Sequence, residues 1–405
     1  MASYDVIIVG GGMVGASLAC ALSGQGLRIA IVEAVQPGVR DEPGYDERAI
    51  ALAYGTKRIF CGLQLWDELA GDATPIHRIH VSDRGHFGMT RMDRSEEGLP
   101  ALGYIVPARV IGQVLNESVS RREDVDYRCP ASVTAVHRAG DEVLVDIIQD
   151  DKPETLGARL LVAADGANSA IREQFGIDSL ETDYQQTAIV SNVTPQLPHR
   201  NIAYERFTDT GPLALLPMTE QRCAVVWTVA SDQANDIMAL DDDTFLERLQ
   251  ERFGFRLGRL EHAGLRQAWP LKLLQARESV RARLALVGNA AHTLHPIAGQ
   301  GFNLGARDVA VLAEVVVDAV RNGQDPGALE VLNRYAEWQR SDHRSVTVFT
   351  DGLVRLFTMP LPALGMARTA GMLALDLLPP AKRLLTRMTM GRAGKTPRLA
   401  RGLPL

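Results

Sequence analysis

The sequence predicts an α/β fold: a discontinuous Rossmann-like dinucleotide-binding domain, an antiparallel-sheet substrate domain inserted into it, and a helical C-terminal tail. Three observations carry this reading. Residues 5–34 form a strand, glycine turn, helix and second strand in quick succession. Between roughly 180 and 280, short strands follow one another across polar or Pro-containing turns. At Leu284–Val287 an apolar strand again runs into a Gly-rich loop and a long helix, so the first domain resumes after the insert. With 405 residues the chain exceeds one simple core. It divides into 1–180 and 281–345 for the nucleotide domain (about 70–105 contributing to the substrate side), 181–280 for the substrate domain, and 346–405 for the tail.

Asp5–Val9 reads as a buried strand, Gly10–Gly15 as the turn, Ala16–Ser23 as a helix and Arg28–Glu33 as the second strand. Asp41–Ile59 begins polar and becomes helical. Ile76–Met89 alternates like a strand, and Val110–Val119 has helical periodicity. Ser132–Val136 and Val143–Ile148 pair as a hairpin around Ala139–Asp141. Arg159–Ala163 is a short buried strand before a Gly turn and a helix through Ile171–Gln174. In the insert, Thr187–Val193, Ile202–Thr208, Leu213–Pro217 and Cys223–Val229 are strands, followed by the helix Asp243–Phe253 and then Gly264–Pro270. The last long helix opens at Gly301–Phe302–Asn303 and continues through Val309–Val317.

Composition narrows the function classes. The chain is 46% apolar and 23% charged, with its 36 glycines concentrated in loops, which favours nucleotide binding over a fibrous repeat. Cys20, Cys61, Cys129 and Cys223 show no metal-binding or CxxC spacing and read as reduced packing residues. The first apolar run is already a strand, which predicts no signal peptide, and no apolar run is long enough to cross a bilayer. These features predict a cytoplasmic protein. The net charge of −6 argues against nucleic-acid binding. From Met366 to Leu405, however, eight basic residues face Asp376 alone, so the tail is a distinct, basic surface.

Three motifs carry chemistry. Gly10-x-Gly12-x-x-Gly15 follows a strand and opens a helix: Gly10 permits the turn, Gly12 lets backbone approach a pyrophosphate, and Gly15 allows close helix–strand contact. Glu33, at the end of the second strand, can accept the ribose hydroxyls of an adenosine. This motif does not decide between FAD and NAD. In Ala164–Asp165–Gly166–Ala167–Asn168–Ser169-x-x-Arg172, Asp165 can orient a ribitol hydroxyl and Arg172 can pair with it or with phosphate; the plainer alternative makes Asp165 an N-cap. In the third motif, Val287–Asp308, Asn289 can reach a ribitol, Pro296 and Ile297 approach a ring, and Gly299–Gly301 let backbone close to it. The free N–H groups at Gly301–Phe302–Asn303, with the positive end of the helix dipole, suit charge on the N1–C2=O edge of a reduced flavin. That favours FAD. His292 and His295, with no carboxylate or Cys partner nearby, read as loop-packing residues.

The three segments GGGMVG, AADGANS and GNAAHTLHPIAGQGFN, in this order, resemble the flavoprotein aromatic hydroxylases typified by p-hydroxybenzoate hydroxylase, over nearly the whole chain. The resemblance implies FAD in an extended pose with Glu33 on the adenosine ribose, and cofactor contacts from Arg48 and Arg109. It also implies a shared FAD/NAD(P)H role for Asp165 and Gly166, and a catalytic loop of Pro296, Gly301, Phe302 and Asn303 at the flavin ring. Where that family has Asp, this chain has Asn289, which keeps a hydrogen-bonding oxygen and loses the charge. HVSDRGHFG and AYERFTDTGPLALLPM are similar to the ubiquinone-pathway branch, which implies a 2-polyprenyl-6-methoxyphenol as substrate with O₂ as co-substrate.

On this reading, reduced flavin and O₂ give a C4a-hydroperoxide that attacks the phenol ring. The site should therefore be apolar and closed, with Leu213–Pro217 and Pro296–Ile297 as its walls. NAD(P)H, bound transiently, or another protein supplies electrons. No phenol-deprotonating base stands out; Tyr184, Tyr204 and His295 are the candidates, each with a structural alternative. The basic tail suits a peripheral membrane contact or a partner in a biosynthetic complex, or else packs as a C-terminal helix. A homo-oligomer is compatible with the sequence. A prenyl-lipid reductase, or a flavin-bearing assembly subunit without turnover, would share the FAD motifs.

Overall fold

The computed structural model describes residues 2–36, 47–293, 295, 299–340, 342–343, 371–372, 374 and 376–405. Its centre is an eight-stranded sheet. Leu284–Leu286, Lys152–Ala163, Ala2–Val9, Ile29–Val32 and Val125–Arg128 run parallel in that spatial order. The inner strands read as continuous apolar runs because helices or the hairpin cover both faces. The hairpin Ala131–Ala139 with Glu142–Gln149 joins through Lys152–Ala163 as the alternation predicts. The helices Met13–Leu22, Ala108–Ser120 and Gln300–Arg321 share one apolar core with this sheet.

A nine-stranded sheet forms the second layer. Most of its pairs are antiparallel, but Ile202–Thr208 lies parallel to Arg78–Asp83. One of its faces is covered by Asp242–Phe253, with Phe245, Leu249 and Phe253 buried against Ile189, Leu213 and Trp227. The other faces the nucleotide side. Asp241 caps that helix by accepting from the Thr244 N–H at 2.8 Å. The strand read at Gly264–Pro270 instead spans Gln267–Ala276, where it gains ten paired positions along Ser179–Pro195.

One element differs in kind. The stretch read as polar and then helical contains the strand Ala49–Ala53 before the helix Tyr54–Gly62; residues 41–46 lie outside the described residues. Five residues are too few for periodicity to show, and the strand exists because Gly103–Pro107 pairs with it.

Most of the described tail is docked on the body. Leu399, 1% exposed, enters the main core beside the Tyr54–Gly62 helix. Arg398 pairs with Glu314 and Asp318, Lys382 with Glu96, and Arg387 with Glu97. Lys395 lies 3.7 Å from the centre of the Trp338 ring. A buried leucine contributes roughly 1.5–3 kcal/mol, against about 0–1 for an exposed ion pair, so Leu399 outweighs any single one of these pairs. The basic surface is thus largely occupied from within. Arg383 and Arg401 are exposed and pair with no carboxylate among the described residues; Arg368 lies outside them. No described helix is long and apolar enough to cross a membrane.

The tightest backbone approach is at the first turn. A Cβ on Gly15 would fall inside the contact radius of the Gly10 carbonyl oxygen, and neither backbone can yield. Gly15→Ala is therefore expected to lower the unfolding free energy by about 3 kcal/mol or more, read by urea denaturation.

Candidate active site

The nucleotide end is built as its spacing predicts. Gly10 takes φ +101, and a side chain there would strike the Ala164–Asp165 backbone. Gly12 has open space beside it, and the helix it caps has no side-chain cap, leaving its first N–H groups free for a phosphate. Glu33 is fixed by accepting from the Gly11 N–H at 2.6 Å and the Val35 N–H at 2.8 Å. Its remaining lone pairs can take ribose hydroxyls.

At the other end, Gly299 in the left-handed region (φ +61) starts the Gln300–Arg321 helix, with no side-chain cap and open space at Gly301. Asn303 is fully engaged: Nδ2 donates to Gly299 O at 2.7 Å and Ala51 O at 2.8 Å, while Oδ1 accepts from the Ala53 N–H at 2.8 Å. Its side chain fastens the Ala49–Ala53 strand, and its direct offer to a ligand is backbone. Phe302 is half-buried against Phe60. Pro296 and Ile297 lie outside the described residues.

Between these ends, Asp165 is an acceptor with one arm free. Oδ2 accepts from the Ile171 N–H at 3.2 Å, and buried Oδ1 has no partner, which fits a ribitol hydroxyl. The N-cap itself is Ser169, accepting from the Arg172 N–H at 3.0 Å. Arg172 pairs neither with Asp165 nor outward toward phosphate. It is buried and donates to Ala290 O at 2.9 Å and Ala167 O at 2.8 Å, tying two loops together. Asn289 is exposed and faces the central cavity. Arg48 lines the same cavity, while Arg109 pairs with Glu47 at 2.7 Å behind it.

His292 has a carboxylate partner that its local spacing hid. Its Nε2 donates to Asp308 Oδ2 at 2.7 Å, His343 Nε2 donates to Oδ1 at 2.8 Å, and the Gly288 N–H donates to Oδ2 at 3.0 Å. All three side chains are buried. Their possible metal-ligand atoms lie within 4.8 Å of one another, but the short N···O contacts are hydrogen bonds. Burial raises the Asp308 carboxyl, yet the attraction and donors of His343 and His292 outweigh it and hold it well below the usual range. Burial lowers the His292 pKa, and its buried Nδ1 lacks a partner, as suits a neutral Nε2–H tautomer. His295, lowered by burial to about 4, contacts Gln186 and Tyr184 in a packing role.

The cavity, about 770 Å³, opens beside Arg48, Asn289 and the Gly299–Asn303 turn and reaches Met13 on the first helix. Its wall on the nine-stranded sheet includes Val81, Ala188, Phe207, Ala214, Leu216 and Val226, and the tail supplies Met372, Leu385 and Thr389. The strand expected to form a wall does so.

The open helix starts and the unpartnered Asp165 oxygen fit an extended dinucleotide, and the cavity beside Gly299–Asn303 offers a ring site. The family described as FAD binding domain matches residues 3–345. The chain belongs to that family. With it come FAD as the cofactor and flavin monooxygenation as the reaction class. Ubiquinone hydroxylase UbiL of Rhodospirillum rubrum is 40% identical over 404 residues, 99% of this chain and 93% of that protein. The 3-demethoxyubiquinol 3-hydroxylase of Escherichia coli is 31% identical over 390 residues, 96% of this chain and 98% of that protein. Among solved structures, p-nitrophenol 4-monooxygenase PnpA from Pseudomonas putida DLL-E4 shares the fold, with TM-score 0.79 at 20% identity over 97% of this chain and 100% of that one.

The buried Asp308 network sets an acid limit on stability. His292 and His295 stay neutral inside, so below about pH 6.5 the unfolded chain binds protons that the folded chain refuses. The contribution of Asp308, whose folded pKa is lowered, is present above about pH 4 and lost below it. Wild-type unfolding free energy should fall as pH drops from 7 to 4. Asp308→Asn should cost about 3 kcal/mol at pH 7, with the gap closing in acid, read by denaturant titration across pH.

Proposed function

We propose that this protein hydroxylates the aromatic ring of a polyprenylated phenol in ubiquinone biosynthesis, with a 2-polyprenyl-6-methoxyphenol as substrate. The observation that carries this is a large, mainly apolar cavity running from the Gly299–Asn303 loop along a sheet face of aliphatic side chains. Such a chamber suits an isoprenoid-bearing ring and excludes water from the oxidising centre. The names of the relatives above point to the same pathway.

Gly10, Gly12, Gly15 and Glu33 would hold the adenosine and pyrophosphate, Asp165, Gly166 and Asn289 the ribitol, and Gly301–Asn303 the ring. Bound FAD, once reduced by NAD(P)H or a protein donor, supplies activated oxygen from O₂. The protein's part is electrostatic and steric. The Gln300–Arg321 helix start offers N–H groups to negative charge, Asn303 and Asp308 fix those groups, and the apolar wall positions the ring. Anaerobic reduction of the purified protein, then O₂ with a 2-prenyl-6-methoxyphenol analogue, should give one added oxygen atom per turnover by mass spectrometry. An unmodified or hydrogenated product would refute the reading.

For a membrane-soluble substrate we propose entry beside the tail. Leu377, Leu378 and Leu384 are 78%, 55% and 59% exposed, on and before the Pro379–Thr389 helix that also lines the cavity. Replacing all three with Gln should reduce cosedimentation with anionic liposomes and leave bound FAD unchanged; equal cosedimentation would remove this route.

A further inference from the structure

Glu205 occupies a place that packing alone does not explain. It lies in the Ile202–Thr208 strand, directly opposite Val81 on one side and Ala214 on the other, and all three line the cavity. Its neighbours two residues away, Ala203 and Phe207, line it too. Arg48 and Glu205 are the two charged side chains in the lining among the described residues. Glu205 forms no hydrogen bond or ion pair among them, although a lone carboxylate against an apolar wall is costly.

The charged groups nearby belong elsewhere. On the Arg78–Asp83 strand, Asp83 pairs with His86 at 3.0 Å, and Arg78 with Asp93. His80 and Arg206 alternate onto the opposite face, His80 beside Arg256. The Gly211–Pro217 strand carries no ionisable group. Burial alone acts on the Glu205 carboxyl, raising it to about 7.

We propose that Glu205 is the base that takes the phenolic proton of the substrate. This rests on the functional reading above. In the step, the phenol O–H bond breaks, its electron pair stays on the phenol oxygen, and a carboxylic O–H forms at Glu205. No electron is transferred. The phenolate that results is a far better target for an electrophilic oxygen than the phenol. A carboxyl titrating near neutrality is matched to this task, being free to accept yet not strongly solvated. The sequence-level candidates are placed less well. Tyr204 touches the cavity, but its ring packs edge-on against Phe253 at 5.5 Å and burial raises its pKa, which keeps the hydroxyl protonated; Tyr184 and His295 contact each other outside the cavity lining.

The test is Glu205→Gln, which keeps shape and removes the base. In the reduction and reoxidation experiment with the prenylated phenol analogue, wild-type product formation should rise with pH through about 7. The variant should reduce and reoxidise its flavin at the wild-type rate. It should form product on the order of 10²-fold more slowly, release H₂O₂ instead, and lose the pH-dependent rise. An activity-independent readout accompanies it. Because the folded pKa is raised, the Glu205 contribution to stability falls as pH climbs from about 4 through 7, against the opposite trend set by the buried histidines. The variant should therefore match the wild-type Tm at pH 5 and exceed it at pH 8. Unchanged yield and pH profile in the variant, or a Tm difference that ignores pH, overturns the proposal while leaving the functional reading intact. If the wild type oxygenates no prenylated phenol, that reading fails first and the base assignment with it.

Discussion

Two side chains five residues apart on one helix hold the centre of this molecule. Asn303 uses its whole amide to fasten the Ala49–Ala53 strand and the Gly299 carbonyl. Asp308 accepts from Gly288, His292 and His343. The Asp308 bonds and the Asn303 bond to Ala53 are buried, so each donor there would be left unpaired if its acceptor were lost. Together they fix the strand that leads to Arg48, the turn that presents Asn289 and the exposed N–H groups at the helix start. The site's geometry follows from this polar frame inside an otherwise apolar core.

The frame explains a division of labour in the cleft. Both ends offer backbone through open helix starts and glycine-lined approaches, so under the proposed function cofactor recognition depends little on side-chain charge. The cavity beside the second end is the reverse: its shape is set by aliphatic side chains from the nine-stranded sheet, with Glu205 and Arg48 as its charged members among the described residues. An ionisable group in such a place has a strong effect on any polar substituent brought near it, since little water competes.

Much of this was legible from the residues alone. The parallel strands are continuous apolar runs and the glycine spacing has one good structural use, so the nucleotide end, the helix at Gly301 and the inserted sheet could be read directly. Long-range pairing was less readable. The Ala49–Ala53 strand is too short to announce itself, and Asp308 lies sixteen residues beyond His292, where only folding brings them together. Arg172 looked like a phosphate ligand because a charged side chain near a nucleotide motif invites that reading; two carbonyls claimed it instead. Glu205 did leave a signal: a carboxylate between Ala203 and Phe207 in the phase of a strand that faces inward. With both phases of that strand largely apolar, the inward one could not be chosen before the sheet was seen.

The roof of the chamber has an origin of its own. Met372, Leu385 and Thr389 lie about seventy or more residues further along the chain than residue 303, by which every loop assigned to the flavin under the proposed function is complete. During synthesis the cofactor cradle therefore leaves the ribosome before its cover, and the prosthetic group has an open approach until those later residues settle. The chamber closes only after its cradle has been made.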